Sequence, residues 1–228
     1  MRPPPSLILG IDEAGRGAVL GPLVLAGCAL TSTQEEQLRK AGVADSKAFG
    51  PPAKAQRVRA ELATLIRERA TWCAVVVAAP DRVDASVRRH RLNGLERALA
   101  EEILGDAPRG CRVVLDGHRV FEPLCRRVAG AVSMDKADQH ELSVAAASIL
   151  AKTTRDQLFG EIRARYDAEL GPIRGEGYPN PATARFLDAY FNLHGELPPE
   201  TRRTWQWTPL LRYTTPDQRG EPRLLNFD

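Results

Sequence analysis

Short apolar runs, each closed by polar or turn-forming residues, recur through the first 135 positions. Ser6–Ile11 (SLILGI) stops at Asp12-Glu13, and Val19–Leu30, rich in Val and Leu, is interrupted by Gly21-Pro22. Between them, Ala14-Gly15-Arg16-Gly17 is a turn signal, so the pair reads as neighbouring strands with a glycine-rich connection. Thr71–Ala79, Cys111–Leu115 and the weaker Val128–Ser133 supply three more strand candidates. A near-3.6 spacing of apolar residues predicts helices elsewhere. Pro52–Ala70 carries Val58, Leu62, Leu65, Ile66 and Ala70, and further helices are expected over Gly94–Leu104, His140–Tyr166 and Ala182–Leu193. Strands alternating with helices, then helices alone, predict an α/β sheet with a helical tail.

Composition narrows the class. The chain has 228 residues, enough for one domain with a C-terminal appendage, and 43% hydrophobic with 27% charged residues is globular composition. Its longest apolar runs, such as Leu23–Leu30 and Val144–Ala151, fall well short of the roughly 18–20 residues of a membrane span. Met-Arg-Pro-Pro-Pro at the start is not the apolar stretch of a signal peptide, which leads us to expect a cytoplasmic protein without membrane contact. Cys28, Cys73, Cys111 and Cys125 show no CxxC pairing and are expected to be reduced and packed. Residues 139–228 hold 11 Lys/Arg against 12 Asp/Glu, and residues 1–138 hold 21 against 17. A phosphate-binding surface must therefore be local.

Candidate chemistry lies where apolar runs meet acids. Asp12 and Glu13 follow one run, and Asp116 follows CRVVL, before Gly117. Open α/β sheets place ligands beyond the carboxyl ends of strands. Each acid also has a plain reading, as a solvated strand end or an Asp-Gly turn. Carboxylates without histidine suit hard cations such as Mg²⁺ or Mn²⁺, which catalyse in-line phosphoryl displacement in pairs. Asp138, in Lys136-Ala137-Asp138, reads either as a fourth acid of that site or as a helix N-terminal charge. Gly15-Arg16-Gly17 and Lys47 could approach a phosphate. Tyr178, within a Gly/Pro-rich loop, could stack on a base or sugar, or simply pack. The histidines lack ligand spacing, and there is neither a P-loop nor GxGxxG.

Together these segments resemble the ribonuclease HII family. The matching stretches are LILGIDEAGRG at 7–17, ADSK at 44–47, VVLDG at 113–117, KAD at 136–138, SVAAASILAKTTRD at 143–156 and GYP at 177–179, in the family's order. The resemblance implies an α/β, ribonuclease H-like fold: a five-stranded mixed sheet flanked by helices, with a small C-terminal helical segment. It implies a catalytic domain over 1–170 and a helical segment over 171–228 carrying the Tyr178 loop. It also implies hydrolysis of the RNA strand of RNA–DNA hybrids and nicking at single ribonucleotides in duplex DNA. The enzyme would act as a monomer with Mn²⁺ or Mg²⁺, leaving 3′-hydroxyl and 5′-phosphate ends. By motif position, Asp12, Glu13, Asp116 and Asp138 become the metal-holding acids. Gly15, Arg16 and Gly17 become the reader of the ribose 2′-hydroxyl, and Tyr178 the stacking tyrosine. Arg16, Lys47, Lys136 and Ser148 would contact backbone phosphates.

Two departures stand out: Ala18 where the family commonly has Pro after GRG, and Arg202-Arg203-Thr204-Trp205 where it has RRSF. A DNA nuclease or resolvase of the same superfamily would share the acids but gives no reason for the GRG–tyrosine pair. A binding protein without chemistry would have its phosphates repelled by four acids.

Overall fold

The computed structural model describes residues 7–43, 49 and 51–219. Its strands are β1 (Leu7–Ala14), β2 (Leu23–Thr31), β3 (Trp72–Ala78), β4 (Arg112–Asp116) and β5 (Ala131–Met134). They form one sheet in the order β3-β2-β1-β4-β5. β1 and β2 are antiparallel from Leu7↔Thr31 to Ala14↔Val24, whereas β1–β4 and β4–β5 are parallel. The sheet is therefore mixed and five-stranded, as expected. β2 is buried along its length up to Thr31, as befits a strand covered on both faces.

The helices are α1 (Ser32–Lys40), α2 (Pro52–Arg69), α3 (Pro80–Arg88), α4 (Leu92–Asp106), α5 (His118–Cys125), α6 (Leu142–Leu170) and α7 (Pro181–His194), with four-residue α8 (Thr208–Leu211) and α9 (Pro216–Arg219) after them. Three departures from the expected boundaries have local causes. β1 does not stop at Asp12-Glu13 but continues to Ala14, because β2 offers pairing partners that far. The run from Val19 is not one strand with β2: Gly21, at φ 86°, breaks it, and Leu20 bridges to Thr201 instead. α1, α3 and α5 were not expected. α1 is short and mostly polar, and it is started by a capping box in which Thr31 Oγ accepts from Gln34 N and Gln34 Oε1 accepts from Thr31 N.

Two compact units interleave in sequence. The first takes residues 1–14, 24–76 and 96–154, and holds the sheet except for end residues of β2 and β3. Its two faces are marked by glycines. A Cβ on Gly10 would lie 2.2 Å from Ser143 C and Val144 N, so the start of α6 presses backbone to backbone on β1. A Cβ on Gly27 would lie 2.6 Å from Ile103 Cγ2, placing α4 on the opposite face. Leu9, Ile11, Leu25, Leu99, Val114, Leu115 and Val144 fill the core without exposure.

The second unit takes residues 15–23, 77–95 and 155–228. Gly21 N donates to Glu200 O (2.9 Å) and Arg202 N to Val19 O (2.8 Å). Asp84 is buried and accepts from Arg203 N (2.8 Å), Thr204 N (3.2 Å) and Thr204 Oγ1 (2.6 Å). Tyr166, Phe186 and Tyr190 pack ring against ring, and Asn180 caps α7 by accepting from Ala182 N and Thr183 N. Trp205 is buried beneath the Arg202 guanidinium.

The four cysteines are free thiols, as expected, and Cys28 and Cys73 lie 3.7 Å apart between their sulfurs. Among the described residues, no helix is long and apolar enough to cross a membrane. The Gly10 contact gives a test. Gly10→Ala should lower stability by about 3 kcal/mol, because backbone on both sides must shift. Urea unfolding measures this, and an unchanged midpoint would contradict the contact.

Candidate active site

Parallel pairing sets the acids level. Ile11 pairs with Leu115, so Asp12 and Asp116 are each one residue further along adjacent strands, and Asp116 pairs with Met134 on β5. Asp12 is buried and accepts from Glu13 N (2.8 Å). Glu13, next along an extended strand, is half-buried. Asp116 is half-buried and accepts from Ala137 N (3.0 Å). That N–H is aimed by Lys136, which takes the left-handed conformation at φ 58° ahead of a 3-10 turn over Ala137–Gln139. The non-glycine strain there costs about 1 kcal/mol and is offset by the bonds to Asp116. Asp138 sits in that turn, four residues ahead of α6, whose first turn carries no acid. A dipole-capping role on α6 is thus not what the geometry provides.

The electrostatics of this cluster follow from burial among like charges. Desolvation first, and the Glu13 charge second, push the Asp12 pKa from 3.8 up to about 7. The Ser148 hydroxyl, Lys152 and the Glu13 N–H pull the other way. The Ser148 effect is weak, since its buried Oγ makes no hydrogen bond of ordinary geometry. The Asp116 pKa is raised by burial, and then by the charges of Asp12 and Asp138, against the lowering bonds from Ala137 and Lys136. Asp116 therefore feels the charges of both Asp12 and Asp138. Ser148 and Lys152, at i and i+4 on α6, share a face. With Arg59, Asp138 and the apolar Val43, Phe49 and Ile149, they line a cleft of about 240 Å³.

The donor set is all oxygen, which suits Mg²⁺ or Mn²⁺. Among the described residues, no group of three or more His, Cys, Asp or Glu is already arranged to hold a metal ion. That arrangement is compatible with Mg²⁺, which is commonly held by one or two carboxylates, with waters and substrate phosphates completing the octahedron. A carboxyl pushed to about 7 by burial, and then by the Glu13 charge, is the group that a cation would most relieve.

In the second unit, Gly15-Arg16-Gly17 forms a tight turn closed by Ala18 N donating to Gly15 O (3.2 Å), a bond that proline could not make. Arg202, fully buried, braces it by donating to Arg16 O and Gly21 O, both at 3.0 Å. Arg16 Nη2 donates to Asn93 Oδ1 (2.6 Å). Gly15 has φ 86°, and a Cβ there would lie 2.4 Å from Arg155 Nε. The buried Arg155 guanidinium also sits 4.6 Å from the Tyr178 ring centroid and donates to Glu176 O (2.8 Å). Tyr178 keeps 37% exposure. Gly177 O accepts from Val19 N and Leu20 N (2.7 and 3.0 Å), joining the two loops.

The four acids and Ser148 thus lie in the first unit, with Asp116 in electrostatic range of Asp12 and Asp138 and Asp12 in range of Glu13, while Gly15 and Tyr178 meet at Arg155 in the second. Lys136 acts here through its backbone, and Lys47 lies outside the described residues. Sequence reasoning passed over Lys152, Arg155 and Arg202. A lysine four residues after Ser148, in an otherwise Ala-rich helix, was a readable signal for the first. Nothing local marks the burial of the other two.

The sign of the Asp12 effect on stability is testable. Below pH 3.8 the carboxyl is protonated in both folded and unfolded chains. Between there and about 7 the unfolded chain has lost the proton and the folded one keeps it, so stability falls as pH rises, and the full penalty remains above. Asp12→Asn should therefore raise the melting temperature of metal-free protein at pH 8 by about 5 °C, for roughly 2 kcal/mol, and change it little at pH 4. Calorimetry at both pH values decides, and a lower melting temperature at pH 8 would contradict the assignment.

Comparison with known proteins gives the family. The ribonuclease HII family profile matches residues 9–208. A ribonuclease HII of Cenarchaeum symbiosum is 35% identical over 209 residues, covering 88% of this chain and 95% of that protein. The crystal structure of ribonuclease H2 from Pyrococcus horikoshii superposes with a TM-score of 0.77 at 30% identity, covering 90% of this chain and 96% of that one. The ribonuclease HII of Archaeoglobus fulgidus, solved in complex with PCNA, gives 0.72 at 32% identity, covering 88% and 95%. The profile spans both the acid cluster and the Tyr178 loop, and the chain belongs to the ribonuclease HII family, with it to the metal-dependent endonucleases of the ribonuclease H type.

Proposed function

We propose that this chain hydrolyses the RNA strand of RNA–DNA hybrids and nicks duplex DNA at single embedded ribonucleotides, leaving 3′-hydroxyl and 5′-phosphate ends. The observation that carries the reading is the level placement of Asp12 and Asp116 on parallel strands, with Asp138 near enough to raise the Asp116 pKa. Two divalent ions, Mg²⁺ or Mn²⁺, held by Asp12, Glu13, Asp116 and Asp138, would supply an activated water and stabilise the leaving oxygen. In this reading Lys152 and Ser148 only partly offset the burial that favours a protonated Asp12, and a bound cation would complete its ionisation. The backbone of Gly15-Arg16-Gly17 takes the 2′-hydroxyl, the only group that marks a ribonucleotide within a duplex. Glycine at 17 leaves that backbone uncovered, Gly15 lets the turn pack closely on Arg155, and Arg202 holds its shape from behind. Tyr178, exposed on one side and seated on Arg155 on the other, stacks on the sugar at the RNA–DNA junction. Arg16, Lys47, Lys136 and Ser148 position the backbone through phosphates and read no sequence.

The decisive assay is cleavage of a DNA duplex with one ribonucleotide in Mg²⁺, Mn²⁺ or chelator, beside an all-RNA:DNA hybrid and an all-DNA duplex. The reading expects a metal-dependent nick 5′ of the ribonucleotide and an intact all-DNA duplex. Cutting of the all-RNA hybrid alone would remove the junction role of the GRG turn and Tyr178. Asp12→Asn and Asp138→Asn should each lower turnover at least about 100-fold, Asp138→Asn with no fall in melting temperature. Tyr178→Ala should cost about tenfold in kcat/KM on the single-ribonucleotide duplex, as expected of a lost stacking contact. It should cost less on the all-RNA hybrid, and an equal loss on both would reduce Tyr178 to a packing residue.

A further inference from the structure

The positive excess of residues 1–138 has a visible focus in the second unit. Residues 88–91, Arg-Arg-His-Arg, join α3 to α4, and all four are exposed. The turn is ordered: His90 has φ 54°, Arg89 N and Arg91 N donate to Ser86 O, and His90 N donates to Val87 O. Arg88 Nε reaches Gln218 O at 3.4 Å. Among the described residues, Arg89 and Arg91 form no ion pair. No Asp or Glu occurs between Asp84 and Glu96, and Asp84 is buried and committed to Arg203 and Thr204. Three exposed arginines thus share one turn that contains no acid, with Asp217, beside the Gln218 that Arg88 reaches, as the nearest carboxylate along that contact, and the net positive charge attracts polyanions.

The corner is continuous with the candidate reader turn of the same unit. Asn93, two residues beyond Arg91 and so within about 8 Å of it, accepts the 2.6 Å hydrogen bond from Arg16. We propose that Arg88, Arg89 and Arg91 form a docking surface for the phosphate backbone of duplex nucleic acid. It supplies sequence-independent affinity to a duplex already seated on Gly15–Gly17, and in that respect it rests on the function proposed above. Arginine suits the task because its planar fork pairs phosphate oxygens two at a time.

The test compares wild type with an Arg88→Gln/Arg89→Gln/Arg91→Gln variant and with the corresponding triple Lys variant. Binding of a 20-base-pair all-DNA duplex is followed across a salt series, and KM and kcat are measured on the single-ribonucleotide duplex. The Gln variant should flatten the slope of log affinity against log salt by about two to three. It should raise KM about tenfold, with the loss in KM rather than kcat. The Lys variant should restore most of the slope, because the charge is kept. An unchanged slope and KM in the Gln variant would make the corner a solvated turn, and a loss confined to kcat would equally overturn the proposal. If the wild-type protein cuts no substrate, the function proposed above fails, while the all-DNA binding arm still judges the corner by itself.

Discussion

Everything in the first unit is referred to the contact between Gly10 and the start of α6. With no Cβ on Gly10, the helix backbone at Ser143 and Val144 lies directly on β1. That contact sets the height of α6 over the sheet, and so fixes where Ser148 and Lys152 stand relative to Asp12, two residues along β1. The β1–β4 ladder then carries the same level across to Asp116. A catalytic arrangement of this kind depends less on the acids than on the apolar residues that hold the strands in register, because a slip of one residue would turn Asp12 to the opposite face.

The cluster is costly to fold. Burying one carboxyl beside others raises its pKa, which is a statement that the folded, metal-free protein resists the charge. The fold tolerates this because the surroundings are over-determined. Leu9, Ile11, Leu25, Val114, Leu115 and Val144 are all without exposure, and their burial contributes about 1.5–3 kcal/mol each. Stability is thus concentrated next to the place where it is given up, as is common at sites that bind charged ligands.

Much of this was legible in the chain. Five apolar runs became five strands because each was short, rich in Val and Leu, and bounded by turn residues. Asp116 was readable because CRVVL is unmistakably a buried strand and the acid ends it. The extension of β1 through Asp12-Glu13 was not readable, because a strand can carry acids at its end only when its neighbour supplies pairing partners, and register is a property of two strands. The polar α1 escaped notice because a capping box and a single buried Leu38 sustain it without an amphipathic pattern. Arg155 and Arg202 look like ordinary surface arginines in sequence. Their burial is set by carbonyls and rings supplied from distant positions, which no local window contains.

The bracing of the glycine turn by Arg202 has a consequence for how the molecule is made. Arg202 and the carbonyl of Arg16 are 186 positions apart, and Leu20 meets Thr201 across a similar interval. Closing so long a loop comes late in folding, because its entropy must be met before the contact repays it. On the ribosome the turn is synthesised 186 residues before the arginine that braces it. A chain interrupted before residue 202 lacks the Arg202 bonds to Arg16 O and Gly21 O that brace the glycine turn. The finished shape of that turn therefore requires the chain to have been made through residue 202.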